Sequence, residues 1–340
     1  MVEEEIPNLK IKKLGGVAMN FIKSFPAAFF LLFLAFTDAG AEKLNFSFSS
    51  LVGSQSPLWV AKEAGYFKKH GIDAQLVYIV GGRVVVQAML AGELQMGISA
   101  PGALIRANLQ GSDLVFLGTG TATADFALIT GKDIADIRQL RGKRIGIGQF
   151  GGGPDYTTRI MLEKHGLIPD KDVRIVQMLT GQPGRLVALQ AGAIEGIVIS
   201  PPLTVQAKQM GFNLLVDYSN VIPYFFTGGF MTTRRYAQQN PGTVENVLRA
   251  LLDATRYIFS NEAGTLKIVG QYMRITDYAF LQAYYRESML KQINRTLYPD
   301  VKAIEFTLEQ ERKSSPAVAK AKPGDFIDTR FLDKLRKEGY

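Results

Sequence analysis

Residues 51–73 read LVGSQSPLWVAKEAGYFKKHGID and predict a loop, a helix and a helix stop, in that order. Pro57 falls in the first helical turn, where its missing N–H costs nothing. Gly71 supplies a left-handed cap after a basic run that complements the carboxyl end of the helix dipole. The strand-like runs LNFSFSS (44–50) and AQLVYIV (74–80) flank this stretch. The stretch therefore belongs to a strand–helix–strand unit.

The same alternation of short apolar runs with amphipathic stretches continues along the chain. Strands that alternate with helices of this length predict βαβ units, a mostly parallel sheet and an α/β fold. The further predicted strands are 95–99, 114–118, 144–149, 174–179 and 197–200, and the further predicted helices are 84–93, 103–111, 154–165, 184–191 and 202–210.

The pattern repeats. GELQMGIS (92–99) is echoed by GAIEGIVIS (192–200), and FKKHG (67–71) is echoed by LEKHG (162–166). These echoes predict two similar α/β halves that face each other. The alternative is a chance likeness, because generic βα units share helix caps for local reasons.

The predicted domain plan has a first lobe of residues 42–128 and 228–340, with a second lobe of residues 129–227 inserted between them. Two strand crossings, near Phe126–Thr130 and Gly228–Thr232, would form the hinge. After the second crossing, the spacing of apolar residues predicts helix throughout 242–290, and the composition predicts a loop over 311–325.

The amino terminus has the pattern of a secretory signal peptide over residues 1–41. The uncharged run FPAAFFLLFLAF (25–36) is too short to span a bilayer, Lys23 precedes it, and a small-residue sequence ends at Ala41. Because the segment before it is acidic, we expect translation to start at Met19 and cleavage to occur near Ala41. An uncleaved membrane anchor is the alternative.

Composition excludes several classes of function. The chain of 340 residues has 47% hydrophobic and 21% charged residues, which is typical of a globular protein. Because it has no cysteine, thiolate metal sites and cysteine nucleophiles are excluded. Its two histidines are too few for a histidine metal cluster. The net charge of +8 comes from scattered basic residues, which does not indicate nucleic-acid binding. We expect no cofactor, no metal and no catalytic residue.

Two glycine-containing loops precede predicted helices, at residues 53–56 and 148–153. In open α/β sheets, ligands bind beyond the carboxyl ends of the strands, where such loops meet helix starts. The N–H groups of Gly151–Asp155 could donate to an oxyanion, with side-chain hydrogen bonds from Ser54 and Thr157. Ordinary N-capping and a flexible turn are the alternative interpretation.

Two arginines hold equivalent places in the two halves. Arg83 follows a strand and a Gly-Gly pair, and Arg185 follows Gly181–Gly184. Either guanidinium could bind a carboxylate or sulfonate with two parallel hydrogen bonds. Either could also be an ordinary surface arginine.

Hydroxyl groups complete the predicted lining. Ser99-Ala100 and Ser200 end corresponding strands ahead of a proline, while Thr121 and Tyr224 lie beside the two crossings. The alternatives are strand termination for the serines and core packing for the aromatic residue. A dinucleotide site is disfavoured, because Gly146 of the string GIGQFG falls inside a predicted strand.

The order of these motifs resembles exported solute-binding proteins of nitrate/sulfonate/taurine ABC transporters. The resemblance rests on AKEAGYFKKHGI and LRGKRIGI, together with QAMLAGELQMGIS and the glycine loops, and covers about residues 43–300. It implies a two-lobed periplasmic binding protein fold of type II, with two mostly parallel sheets flanked by helices and a ligand cleft between the lobes. By motif position, the ligand loops are Ser49–Ser54, Ser99–Gly102, Gly148–Gly153 and Ser200.

The resemblance further implies a periplasmic monomer that closes on a small anionic or polar solute and delivers it to a membrane permease with its ATPase. Gln95 stands where family members often have Asp, which leaves the solute open. The related pyrimidine-synthesising enzymes carry a cysteine-rich segment that this chain lacks. A small-molecule lyase or isomerase, or a ligand-presenting sensor component, remains the alternative. The predicted ligand site comprises Ser50, Ser54, Gln55, Arg83, Ser99, Ala100, Thr121, Gly151, Gly152, Gly153, Thr157, Arg185, Ser200 and Tyr224.

Overall fold

The protein is described by a computed structural model. The described residues are 41–124, 126–221, 228–313 and 315–340. The predicted signal segment before Ala41, Met19 included, and the predicted site residue Tyr224 lie outside them.

The described chain alternates strands and helices up to β10 and is mainly helical afterwards. The strands are β1 Glu42–Phe48, β2 Ile72–Tyr78, β3 Met96–Ser99, β4 Leu114–Thr119, β5 Ala127–Thr130, β6 Arg144–Ile147, β7 Arg174–Gln177, β8 Gly196–Ile199, β9 Asn213–Asp217 and β10 Gly229–Thr233. The helices are α1 Ser56–Glu63, α2 Tyr66–Lys69, α3 Gly82–Leu90, α4 Pro101–Leu109, α5 Gly153–Lys164, α6 Gly181–Gln190, α7 Leu203–Gln209, α8 Arg234–Gln239, α9 Pro241–Ser260, α10 Glu262–Met273, α11 Tyr278–Tyr284, α12 Leu290–Gln292, α13 Val301–Arg312 and α14 Arg330–Lys337.

The strands form two five-stranded sheets with the same topology. The first sheet has the order β2-β1-β3-β10-β4, and the second has the order β7-β6-β8-β5-β9. In each sheet, one strand lies antiparallel between its two neighbours: β10 in the first and β5 in the second. The predicted repeat is thus confirmed at the level of topology. We call the parts built around these sheets the first lobe and the second lobe.

The chain passes from the first sheet to the second between Thr119 and Ala127, and it returns between Asp217 and Gly229. Both passages lie beside the predicted crossings. The predicted lobe boundary between residues 128 and 129 falls inside β5, because this strand pairs over its whole length with the second sheet.

The predicted helix over 57–71 is two helices. The break falls at Gly65, which has φ +80°, a left-handed conformation that a helix cannot continue through. The predicted stop at Gly71 is confirmed, with φ +73°. The interruption lets α1 and α2 both pack against the long helix α9.

The carboxyl-terminal third differs from the prediction in two places. Helix over 242–290 is interrupted at Asn261 and again after Met273, where Arg274 has φ +55°. The predicted loop over 311–325 starts two residues late, since α13 continues to Arg312. The helix α13 packs on α4 through Ala303, Ile304 and Leu308, and so belongs to the first lobe.

Apolar periodicity explains the core of the first lobe. The apolar residues at alternate positions of β1, from Leu44 to Phe48, are buried, and Trp59 of α1 has no exposed surface. Val247 and Leu251 of α9 are also fully buried, as their spacing predicts. Among the described residues, no helix is both long and apolar enough to span a membrane.

Candidate functional site

A cavity of about 180 Å³ lies between the two lobes, at the carboxyl ends of their parallel strands. The segments that follow β1, β2 and β3 line it from the first lobe, and those that follow β6, β7 and β8 line it from the second. Because the two sheets share one topology, equivalent loops face each other across the cavity. This is the position at which open α/β sheets bind ligands.

The cavity brings together most of the predicted site residues. Those that line it are Ser50, Ser54, Ser99, Ala100, Gly151, Gly152, Gly153, Arg185 and Ser200. They come from five separate loops or helix starts, and the rule about strand ends was sufficient to find them. Their role in ligand binding stays a prediction.

Four predicted residues do not line the cavity. Arg83 is exposed on α3, beyond the two glycines that do line it. The hydroxyl of Thr157 donates to the carbonyl oxygen of Gly153 at 2.9 Å, inside its own helix. Gln55 and Thr121 are buried where the crossing segments meet, and Thr121 accepts the N–H of Gly228 at 3.2 Å. Arg83 thus lies outside the cavity wall, and the other three side chains are bonded within or enclosed by the protein, so the geometry corrects the placement of all four.

Arg185 is the most unusual group in the cavity wall. It is 5% exposed, and its Nε donates to the carbonyl oxygen of Val198 at 3.0 Å. Among the described residues, no carboxylate pairs with it. Burial lowers the pKa of Arg185 to about 10, so the group stays charged at neutral pH. A buried cation without a counter-ion favours an anion in the cavity beside it.

Two of the predicted donors in the glycine loop have acceptors inside the protein. The N–H of Gly151 donates to the carboxylate of Asp155 at 2.7 Å, and the N–H of Gly152 donates to the carbonyl of Gln149 at 3.2 Å. These donors are therefore used inside the protein and are not free for an oxyanion. Gly148 lies beside Arg185, and a Cβ there would make an ordinary contact of 3.4 Å with Nη1 of that side chain.

Within this loop, Gly151 is the position that requires glycine. Its φ is +68°, which L side chains rarely adopt, and a Cβ would overlap the guanidinium of Arg106. Gly152 has φ −91°, so a substitution there causes no comparable backbone strain.

Arg106 is a cavity residue that the sequence analysis missed. It lies on α4, one helical turn after Gly102, and donates through Nη2 to the carbonyl oxygen of Gly151 at 3.0 Å. Its partners on the other side are Tyr156 and Glu311. Helical spacing from the predicted loop at Ser99–Gly102 could have found it, because residues four apart share a helix face.

The hydroxyl groups are not equally available. Ser54 is 2% exposed, and its Oγ has no hydrogen-bond partner in the described part of the chain. Ser99 donates to the carbonyl of Ala100 at 3.2 Å, while Ser200 is held by Gln182, whose Oε1 accepts the backbone N–H at 2.6 Å. Ser54 is thus the hydroxyl that most needs a partner from the cavity.

The charges of the cavity wall have one sign. Among the described lining residues, Arg106 and Arg185 are the charged ones, and none is aspartate or glutamate. Arg106 is already paired with Glu311, which leaves Arg185 as the uncompensated charge. An anionic group placed between the lobes would therefore be attracted toward the second lobe.

Comparison with protein families gives one match that covers most of the described chain. The family described as NMT1/THI5 like matches residues 54–263. A protein of Brucella abortus named "Putative binding protein" is 28% identical over 64% of this chain and 67% of its own length. The 4-amino-5-hydroxymethyl-2-methylpyrimidine phosphate synthase of Candida albicans is 22% identical over 60% of this chain and 63% of its own.

Solved structures confirm the fold. The periplasmic nitrate-binding protein NrtA from Synechocystis PCC 6803 matches with a TM-score of 0.71 at 14% identity, over 88% of this chain and 89% of that one. The periplasmic aliphatic sulphonate binding protein SsuA from Escherichia coli matches with a TM-score of 0.65 at 17% identity, over 80% and 91%. The predicted two-lobed periplasmic binding protein fold is correct.

Proposed function

Since the chain belongs to the NMT1/THI5-like family, we propose that it is an exported solute-binding protein that captures a small organic anion between its lobes. It delivers this solute to an ABC importer, which consists of a membrane permease and its ATPase. Closure of two lobes over the ligand is the type of motion by which such proteins act.

The choice of an anion rests on one observation, the burial of Arg185 without a carboxylate partner among the described residues. Burying a guanidinium without a carboxylate partner costs folding free energy. A protein keeps such a group where a ligand supplies the missing charge, and a carboxylate or sulfonate matches its planar geometry. The names of the compared structures support this choice, since nitrate and sulphonates are both anions.

The size of the cavity supports a small solute. Its volume of about 180 Å³ is close to the ~150 Å³ of an engineered cavity that binds benzene. Leu51, Val52, Val80 and Phe126 add apolar surface to the cavity wall. A solute that carries an oxyanion and a short apolar body fits this lining better than a peptide or a nucleotide.

Export, location and organisation are part of the same proposal. The signal-like residues 1–41 and the periplasmic relatives of the fold support a periplasmic protein whose leader is cleaved near Ala41. We propose a monomer of two lobes. The sequence predicts residues 42–128 with 228–340 for the first lobe and residues 129–227 for the second. The boundary between them is moved to Ala127, so that β5 belongs entirely to the second lobe.

We propose binding without catalysis. The chain has no cysteine, and the relative of Candida albicans named as a synthase is 22% identical. Transport and ligand presentation to a sensor would use the same site, and identification of the protein that the ligand-bound form contacts would separate them. Conversion of a bound solute to a product would overturn the proposal of a pure binding protein.

Thermal unfolding with matched solutes tests the ligand class. We expect ethanesulfonate, benzoate or nitrate to raise the melting temperature, while ethanol and benzylamine leave it unchanged, because only an anion compensates Arg185. A binder at 100 times its Kd stabilises the native state by about 2.7 kcal/mol. If ethanol and benzylamine stabilise the protein as much as the anions do, the site is not an anion site. The same conclusion follows if none of the five compounds raises the melting temperature.

The pH dependence of anion binding follows from the lowered pKa of Arg185, about 10 in the ligand-free protein. Below this pH the Arg185 guanidinium of the free protein is charged, and its burial is unfavourable. A bound anion stabilises this charged form. We therefore expect the Kd to stay constant between about pH 6 and 8.5 and to rise as the pH passes about 10. Calorimetric titration with the best anion of the panel at these pH values measures it. A loss of affinity already between pH 6 and 8 would assign binding to another group.

A further inference from the structure

Three side chains join the two lobes at the edge of the cavity. Arg106 on α4 and Glu311 on α13 belong to the first lobe, while Tyr156 on α5 belongs to the second. Nη1 of Arg106 donates to the hydroxyl oxygen of Tyr156 at 2.8 Å and also to the Glu311 carboxylate. The hydroxyl of Tyr156 in turn donates to that carboxylate. The result is a closed triangle of hydrogen bonds across the lobe boundary.

The triangle is mostly shielded from water. Glu311 is 4% exposed and Tyr156 is 9% exposed. Burial raises the pKa of the Tyr156 hydroxyl, so it remains a donor at neutral pH. Hydrogen bonds to charged groups are stronger than neutral ones, and they gain strength where water is excluded.

The backbones of the two lobes also meet at this point. A Cβ on Gly102 of the first lobe would overlap the carbonyl oxygen of Gly151 and approach the hydroxyl oxygen of Tyr156 to 2.9 Å. The same Gly151 carbonyl accepts from Nη2 of Arg106 at 3.0 Å. Arg106 therefore bonds both to the buried Glu311 of its own lobe and to the glycine loop of the other lobe.

We propose that Arg106, Tyr156 and Glu311 form a latch that holds the lobes together, and that Arg106 positions the glycine loop through the Gly151 carbonyl. Glu311 orients the guanidinium from the first lobe, and Tyr156 supplies the partner that is lost when the lobes separate. Because the latch closes on groups of the protein itself, it acts without ligand. Closure and ligand binding are thus separate contributions to affinity.

Spin-label distances in ligand-free protein test the latch. The chain has no cysteine, so labels can be placed at Leu90→Cys and Val187→Cys, two exposed positions on α3 and α6 of opposite lobes. We expect Tyr156→Phe to lower the ratio of short to long distances about tenfold. The control is Tyr298→Phe, which removes a tyrosine–carboxylate bond of 2.9 Å to Asp333 and should leave the ratio unchanged.

A double variant, Arg106→Met with Glu311→Gln, removes both charges together and leaves no buried ion unpaired. It should shift the distances at least as far as Tyr156→Phe does. Far-ultraviolet circular dichroism shows whether each variant has folded. If both the single and the double variant keep the distance distribution of the parent, or if Tyr298→Phe changes it equally, the latch does not exist.

Discussion

Replacing Arg185 with methionine is expected to weaken anion binding by ten- to a hundredfold, while the ligand-free protein melts at the same or a higher temperature. The loss corresponds to the 1.5–3 kcal/mol of a hydrogen bond to a charged group. The gain in stability arises because methionine removes a buried charge that no carboxylate of the described chain compensates. A group that costs stability but serves the ligand is typical of binding sites.

Arg83→Met is the matched control for this experiment. Both arginines follow a glycine-containing loop after an edge strand, but Arg83 is exposed and outside the cavity wall. Its replacement should leave the Kd for ethanesulfonate, or for the strongest anion of the panel, unchanged. Calorimetric titration and thermal melts of both variants give the answer. A lower melting temperature with unchanged affinity in Arg185→Met would make Arg185 a structural residue. A loss of affinity in Arg83→Met, with none in Arg185→Met, would return the site to Arg83.

The contrast between these two arginines shows how far sequence reasoning reaches into this protein. The alternation of strands and helices, the repeat and the loops at strand ends are local patterns, and each predicted its element to within a few residues. Whether an arginine turns inward is not local. Arg185 is 5% exposed and donates to the Val198 carbonyl of a neighbouring strand, whereas Arg83 is exposed.

Arg106 illustrates the same limit in the opposite direction. Its partners Tyr156 and Glu311 are 50 and 205 residues away in the sequence. No spacing rule connects them until the two sheets are placed against each other. The N–H groups of Gly151 and Gly152 show the same limit, because their acceptors Asp155 and Gln149 are fixed only once the loop is folded.

Replacing Gly102 with alanine is expected to lower the apparent affinity for the anion by at least about tenfold without unfolding either lobe. The added methyl group would overlap the carbonyl oxygen of Gly151 and lies 2.9 Å from the hydroxyl oxygen of Tyr156, so the lobes must stay apart. When only a small fraction of molecules reaches the binding-competent state, the apparent Kd rises in inverse proportion to that fraction. Alanine also favours helix over glycine, so α4 itself should be slightly more stable.

The chain offers a close control in Gly242→Ala. Pro241-Gly242 opens α9 as Pro101-Gly102 opens α4, but a Cβ on Gly242 meets no atom within 4 Å. Both variants gain the same helix propensity, and only Gly102→Ala fills the contact between the lobes. In Gly102→Ala, the affinity for the chosen anion and the Leu90–Val187 label distance should therefore change together. In Gly242→Ala, neither should change. If Gly102→Ala separates the lobes but binds the anion as tightly as its parent, the solute is held by one lobe alone, and the cavity between the lobes is not its site.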